Sequence, residues 1–382
     1  MSELRPLRVV HVIESLGTGG AEVALTRLLP LLRQDGSEHI VAAVGPPWDL
    51  EPTFARLSIP THRLSPNGDL VEASRGLARL VRGGRYDLAN AHLFYAELVT
   101  ASVHAAGVLA RASVTFHNFG YDVWRPETPR AAVRVALHRG LISPHFDARS
   151  AVCLGAALSY GRWLEVPPGQ VLPLPLPSEP APVEGPDATR ARHGLPDGPI
   201  LLMVGRLSWE KAHDVAVAAL GLCPQGSADG ELPTLVLAGD GPLRDELEAR
   251  VASVGLQSRV RFLGPLTSRD VRALYGVATL LLLPSRTEAL PLVAMEAMAA
   301  GVPVLAARTG GIPELVTHAE TGWLVSPDRP DELASAIVHL LAHPELRRDL
   351  AEGAKRHVER AYGAARVTRC WTDYLETAAG RP

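Results

Sequence analysis

Two successive series of short apolar runs, each run followed by a longer amphipathic stretch, constrain this chain more than any other feature. In the first half the runs lie at 8–13, 39–44, 88–92, 113–117 and 151–154; in the second at 200–204, 234–238, 260–263, 279–283 and 302–306. Strands that alternate with helices pair in parallel, because each crossover must return the chain to the same end of the sheet. Between the series, residues 166–186 read VPPGQVLPLPLPSEPAPVEGP, where proline density forbids a helix or a central strand and marks an interdomain connection. The pattern predicts α/β architecture with two Rossmann-like doubly wound domains facing each other across a cleft, and a chain of 382 residues suffices for two cores. Open sheets of this kind take ligands at the C-terminal ends of their strands, so a nucleotide-like ligand is the default expectation.

Composition removes several function classes. A formal net charge of −3 gives no global attraction to a nucleic-acid backbone, so no nucleic acid is expected as partner. Cys153, Cys223 and Cys370 are far apart and show neither a disulfide framework nor zinc-ligand spacing. The five-residue apolar stretch near the start is too short for a signal-peptide core, and the longest uncharged apolar run, 273–285, is too short to span a bilayer. A cytoplasmic location is the expectation. Of 38 basic residues only Lys211 and Lys355 are lysines. Where arginine serves almost everywhere, a retained lysine points to a need for its compact ammonium.

The densest motif is LLLLPSRTEALPLVAMEAMAAGVPVLA. A strand ends near Leu283, Glu288 lies in the loop beyond it, and Pro291 stands where a helix should begin, at its first position. The amides of Leu292, Val293 and Ala294 would then form an anion site, with Glu296 one turn after Leu292 on the same helix face. Two acids around an anion site suit a sugar–diphosphate–ribose ligand, although a helix cap or a solvated charge is the commoner role for any one such glutamate. In GRLSWEK, Arg206 and Lys211 follow a strand end closely and would neutralise a diphosphate in place of a divalent metal; the chain has no Asp-x-Asp pair to hold one. The plainer alternative pairs Lys211 with Glu210 or Asp214 on an exposed helix.

In the first half, SLGTGGAE follows a strand and opens a helix, and Gly17, Gly19 and Gly20 would let the backbone approach a phosphate. Glu22 occupies the third-glycine position of the dinucleotide fingerprint, which excludes that motif. His92 and His117 stand at strand ends, where a neutral imidazole can bond a sugar hydroxyl; His11, inside a strand, reads as structural. Arg75, Arg79 and Arg82, and then Arg130, Arg134 and His138 with Arg139, recur at helical spacing. They fit an anionic membrane surface or acceptor, and a solvated face more commonly.

GRLSWEK, LAGDGP, FLG, the Glu288 and Glu296 pair with seven residues between, AMAAGVPVLA and GGIPELV resemble the retaining nucleotide-sugar glycosyltransferases of family 4, of GT-B architecture. The resemblance covers the second half almost end to end and the first half loosely, through GTGGAE, the His92 strand end and VTFHNFG. It implies an N-terminal acceptor-side domain at 1–180, a donor-binding domain at 181–362, and a last helix, within 363–382, that crosses back onto the first domain. It implies that Arg206, Lys211 and the amides of Leu292 and Val293 hold the diphosphate. Glu288 would bond sugar hydroxyls and Glu296 the ribose, while the backbone around Leu266 would meet the base. Gly19 and Gly20 would approach the phosphate, and His117 would contact the donor sugar. The implied catalytic set is Glu288, His117, Arg206 and Lys211.

The implied reaction transfers a sugar from a nucleotide-diphosphate donor, UDP foremost, to a hydroxyl acceptor with retention, in polysaccharide or glycoconjugate biosynthesis. No metal or other cofactor is expected. The acceptor would be a saccharide, a lipid-linked or a small molecule, with peripheral contact to the inner membrane face through the arginine-bearing helices as a further expectation. An epimerase or phosphorylase on the same fold, or a noncatalytic nucleotide-sugar-binding partner, are the alternatives. Ala212 stands where the family usually has glycine, and Ala289 where glycine or serine is common; both are small, and little effect is expected from either.

Overall fold

A computed structural model describes residues 5–120, 129–178, 184–223 and 232–381. The chain divides into two compact units, Met1–Pro177 with Tyr362–Pro382, and Ser178–Ala361.

The first unit is built on seven parallel strands: β1 (Arg8–Ile13), β2 (Glu38–Ala43), β3 (Thr61–Arg63), β4 (Leu88–His92), β5 (Ala112–Phe116), β6 (Ala148–Ala151) and β7 (Val171–Pro173). Their order across the sheet is β3-β2-β1-β4-β5-β6-β7, so the chain reverses its direction of winding between β1 and β4. The expected strand at 151–154 begins three residues earlier, and Cys153 instead caps the helix Leu154–Trp163, its sulfur accepting from the Ala156 amide at 3.4 Å. Residues 166–186 are not purely a connection. Val171–Pro173 forms the edge strand β7, where a proline without an N–H costs no ladder bond, and the helix Pro186–His193 already belongs to the second unit.

One face of this first sheet is unusually polar. Parallel strands buried on both faces normally read as apolar runs. Here His39, His11, Asn90, His92, Ser113, Thr115 and Ser150 are all buried. The register sets His11 against Asn90, His92 against Thr115 and Thr115 against Ser150, so the polar side chains share one face across five strands. The last helix, Ala364–Ala378, belongs to this unit, with Trp371 fully buried. Trp371 donates its Nε1–H to Pro175 O at 2.8 Å, and the Tyr374 hydroxyl donates to Val114 O at 3.2 Å. Burial pushes that phenol up to about 12.

The second unit has six parallel strands: β8 (Ile200–Val204), β9 (Thr234–Ala238), β10 (Val260–Gly264), β11 (Leu280–Leu283), β12 (Val304–Ala307) and β13 (Trp323–Val325). Their order, β10-β9-β8-β11-β12-β13, places its reversal between β8 and β11. Leu201, Met203, Leu235, Leu237, Leu280, Leu282 and Leu305 from the strands pack with Val215, Ala219, Leu333 and Ile337 from the helices into its core. Both sheets thus have the Rossmann strand order, in which the crevice outside the strand ends at the reversal is the ligand position.

Candidate active site

At the second unit's reversal, β8 delivers the loop from Gly205 to Lys211 and β11 delivers the loop from Pro284 to Pro291. The two strands are hydrogen-bonded neighbours, which brings together side chains 77 residues apart in sequence. Lys211 Nζ stands 2.5 Å from Glu288 Oε1, and the Ser285 hydroxyl donates to the same oxygen at 3.0 Å. The plainer pairing of Lys211 with Glu210 or Asp214 is therefore not the one adopted. Asp214 instead receives Arg286, at 2.8 Å. Burial disfavours the Asp214 charge, but the Arg286 hydrogen bonds and charge outweigh it and hold its carboxyl below the usual range.

Arg286 is the residue the sequence reading missed. Its Nε reaches Asp328 at 2.7 Å and its Nη1 donates to Trp209 O at 2.8 Å, while its amide donates to Glu210 O at 2.8 Å. One guanidinium thus ties the β8 loop to the β11 loop, and the planar fork suits that multi-point task better than an ammonium would. Its position two residues before Glu288, directly after a buried strand, was the available signal.

The helix after this loop runs Leu292–Ala299 with Pro291 as its N-cap, so Pro291 lies one position before the expected first turn residue. Its carbonyl takes the Ala294 amide at 3.0 Å, which removes Ala294 from the expected anion site. Leu292 and Val293, the first two helical residues, keep amides that no helix can satisfy internally. On the next turn Glu296 is buried, and Tyr275, a second residue the sequence reading passed over, donates its hydroxyl to Glu296 Oε2 at 2.6 Å. Arg206 is exposed, with no ion pair among the described residues, and Leu266 lies half-buried in the loop after β10. Ala289 is half-buried in the β11 loop.

Glycines set the close packing of this strand edge. Gly205 and Gly239, with φ of +146° and +145°, cross so tightly that a Cβ on Gly239 would lie 2.0 Å from Gly205 O. Gly239→Ala should therefore cost about 3 kcal/mol from overpacking and backbone strain together. In a unit of this size that is a fall of about 10 °C in melting temperature. Melting unchanged within about 2 °C would contradict the crossing. Ala212 corrects the expectation that its replacement of glycine is harmless: it is fully buried in the left-handed region, φ 53° and ψ 43°, where a Cβ costs about 1 kcal/mol. His213 beside it is held down at about 4 by burial and by the Lys211 charge.

In the first unit, Gly19 is the N-cap and Gly20 the first residue of the helix Gly20–Leu32; both are exposed, and nothing lies within 4 Å of where a Cβ on Gly20 would be. Neither has positive φ; Gly20 supplies open space, whereas a Cβ on Gly19 would run into the Glu22 carboxylate. Glu22 and Glu14 nearby are raised from the usual carboxylate range, chiefly by burial. His117 follows β5 directly and bonds His92 Nδ1 through its Nε2 at 2.9 Å. Arg75, Arg79 and Arg82 form an exposed face. Arg134 stacks on Phe94 at 3.8 Å and Arg139 pairs with Glu165 at 2.7 Å, so these two are occupied within the unit. The Arg130 side chain and the loop 121–128 lie outside the described residues. No described helix is long and apolar enough to cross a membrane.

Two α/β units of Rossmann strand order, the second presenting a cation, a carboxylate and a helix start at its reversal, define the class: this is the fold of the GT-B glycosyltransferases. Residues 187–357, within the second unit, match the family model of glycosyl transferases group 1. Among relatives, the D-inositol 3-phosphate glycosyltransferase of Jonesia denitrificans is 38% identical over 177 residues, 45% of this chain and 42% of that protein. The 2-deoxystreptamine glucosyltransferase of Streptomyces kanamyceticus is 35% identical over 217 residues, 56% and 54% respectively. The matches thus span about half the length of these relatives. Among solved structures, Anabaena HepE in complex with UDP superposes with a TM-score of 0.82 at 21% identity, covering 97% of this chain and all of that one. Sucrose-phosphate synthase from Thermosynechococcus elongatus gives 0.81 at 23% identity, covering 98% of this chain.

Proposed function

We propose that the chain is a retaining glycosyltransferase that moves a sugar from a nucleoside-diphosphate donor, UDP foremost, to a hydroxyl acceptor without a metal ion. The observation that carries this reading is the Lys211–Glu288 pair, set at the second unit's reversal beside the helix start at Leu292. Arg206, Lys211 and the amides of Leu292 and Val293 would hold the pyrophosphate. An incoming phosphate competes with Glu288 for Lys211, and taking that ammonium releases the carboxylate to accept from sugar hydroxyls near the anomeric carbon. Ser285 keeps Glu288 oriented meanwhile. Glu296, steadied by Tyr275, would accept from the ribose, and the backbone at Leu266 would meet the base.

As the anomeric C–O bond breaks, charge develops on the departing diphosphate, and fixed donors aimed at it lower the barrier without reorganising. The acceptor oxygen bonds the same face of the anomeric carbon and gives its proton to a phosphate oxygen, so retention needs no protein base. Glu288 and Glu296 are accordingly not a glycosidase pair. In the first unit, Gly19, Gly20 and His117 keep the donor-contacting roles that the family resemblance implies. The names of the relatives, one for an inositol phosphate and one for 2-deoxystreptamine, put polyhydroxylated rings first among acceptors to screen, ahead of longer saccharides and lipid-linked acceptors.

Saturable binding across a panel of nucleotide sugars, followed by turnover with the one that binds, tests the reading. Turnover should be unchanged by chelator, since protein cations and amides carry the phosphate charge. Strict dependence on added magnesium would contradict that assignment.

A further inference from the structure

Four imidazoles form a continuous chain across the polar face of the first sheet. His117 Nε2 lies 2.9 Å from His92 Nδ1, His92 Nε2 is 3.1 Å from His11 Nδ1, His11 Nε2 is 2.9 Å from His39 Nδ1, and His39 Nε2 is 2.8 Å from the Ser37 hydroxyl. The far end is anchored: Ser37 Oγ lies 2.7 Å from Leu32 O. A carbonyl can only accept, so the single Ser37 proton goes to Leu32 and His39 must donate to Ser37. A neutral imidazole has one N–H and one lone pair, so the direction passes unchanged from ring to ring. His39, His11, His92 and His117 each then carry the proton on Nε2. This direction leaves the longer 3.3 Å approach of Asn90 Nδ2 to His92 Nε2 unused. Burial, which holds the His11, His92 and His117 imidazoles below their ordinary range, favours the neutral forms that the chain requires.

We propose that Ser37, His39, His11 and His92 are positioning residues that fix His117 as its Nε2–H tautomer, so that its Nδ1, bonded by no described residue, accepts a hydrogen bond from a ligand hydroxyl at the C-terminal edge of the first sheet. The last clause rests on the reading that His117 meets a sugar; the tautomer itself does not. Second-residue support of this kind decides which ring nitrogen faces the ligand.

The test is imidazole nitrogen NMR on the ligand-free, histidine-labelled full chain, with His117 assigned by loss of its signals in His117→Gln. The wild-type protein should show His117 protonated on Nε2 and unprotonated on Nδ1. Ser37→Ala, which removes the anchoring hydroxyl, should populate both tautomers of His117, and Ser37→Thr, which keeps it, should restore one. With UDP-glucose as probe, Ser37→Ala should weaken binding about three- to ten-fold, the loss of one neutral hydrogen bond, and Ser37→Thr should recover it. A wild-type His117 protonated on Nδ1 would overturn the proposal, whatever the variants do. So would a Ser37→Ala protein whose His117 tautomer is unchanged. Absence of UDP-glucose binding to the wild-type protein counts instead against UDP-glucose as donor and leaves the tautomer result to decide this inference.

Discussion

Lys211→Ala should lower turnover about 10²–10³-fold, the range for removing one fixed group that stabilises developing charge. Folding should survive: Lys211 is half-buried, and losing its bond to Glu288, whose side chain is only 9% exposed, should cost about 1–3 kcal/mol. The hydroxyl of Ser285 continues to donate to Glu288 when the ammonium is gone. Lys211→Arg should not restore full rate: a planar guanidinium on a different stem cannot place its charge where a compact ammonium does. The comparison to make is kcat alongside melting temperature. A variant within three-fold of wild-type turnover removes Lys211 from the transition state, whereas a collapse of both quantities makes it a structural residue.

Acid should destabilise the first unit steeply. His11 and His92 are fully buried. Burial first, then the neighbouring histidines, lowers both well below the ordinary value of 6.5. In the folded state they stay neutral, while in the unfolded chain they take up protons below pH about 6.5. The stability they confer is therefore complete above the unfolded value and is lost as pH falls through it towards the folded one. Linkage sets an upper bound of about 2 kcal/mol for each histidine between pH 7 and pH 5. Calorimetric melting across that range, with limited proteolysis to identify the unit that opens, should show the first unit losing stability before the second. A melting temperature for the first unit that is flat from pH 7 to pH 5 would mean these rings are already charged or solvated.

Much of the architecture is legible because it rests on apolar runs that recur in alternation with amphipathic stretches. The three strands that the sequence pattern did not reveal, β3, β7 and β13, are each three residues long and each lies at a sheet edge. An edge strand of three residues buries too little to produce an apolar run, and β7 is further masked by its prolines. In the second unit the loops bearing Lys211 and Glu288 were visible as separate motifs, and their direct pairing was not, since contact across 77 residues follows from which strands become neighbours. Arg286 was invisible for a related reason: its partners come from elsewhere in the chain, Asp214 from the first turn of the helix His213–Leu222 and Asp328 from the loop after β13. In the first unit His11 was read as a structural residue. Only the register, which aligns His39, His11 and His92 along one face, shows that it links two other histidines. The signal was polar residues at alternate positions in strands that should be apolar throughout.

The most direct test of the central claim is a crystal structure of the chain soaked with UDP. The account requires the diphosphate at the β8–β11 reversal, with Lys211 turned from Glu288 onto a phosphate oxygen and the Leu292 and Val293 amides within hydrogen-bonding distance of it. UDP bound at another place in the fold, or seated there while Lys211 remains on Glu288, would contradict it.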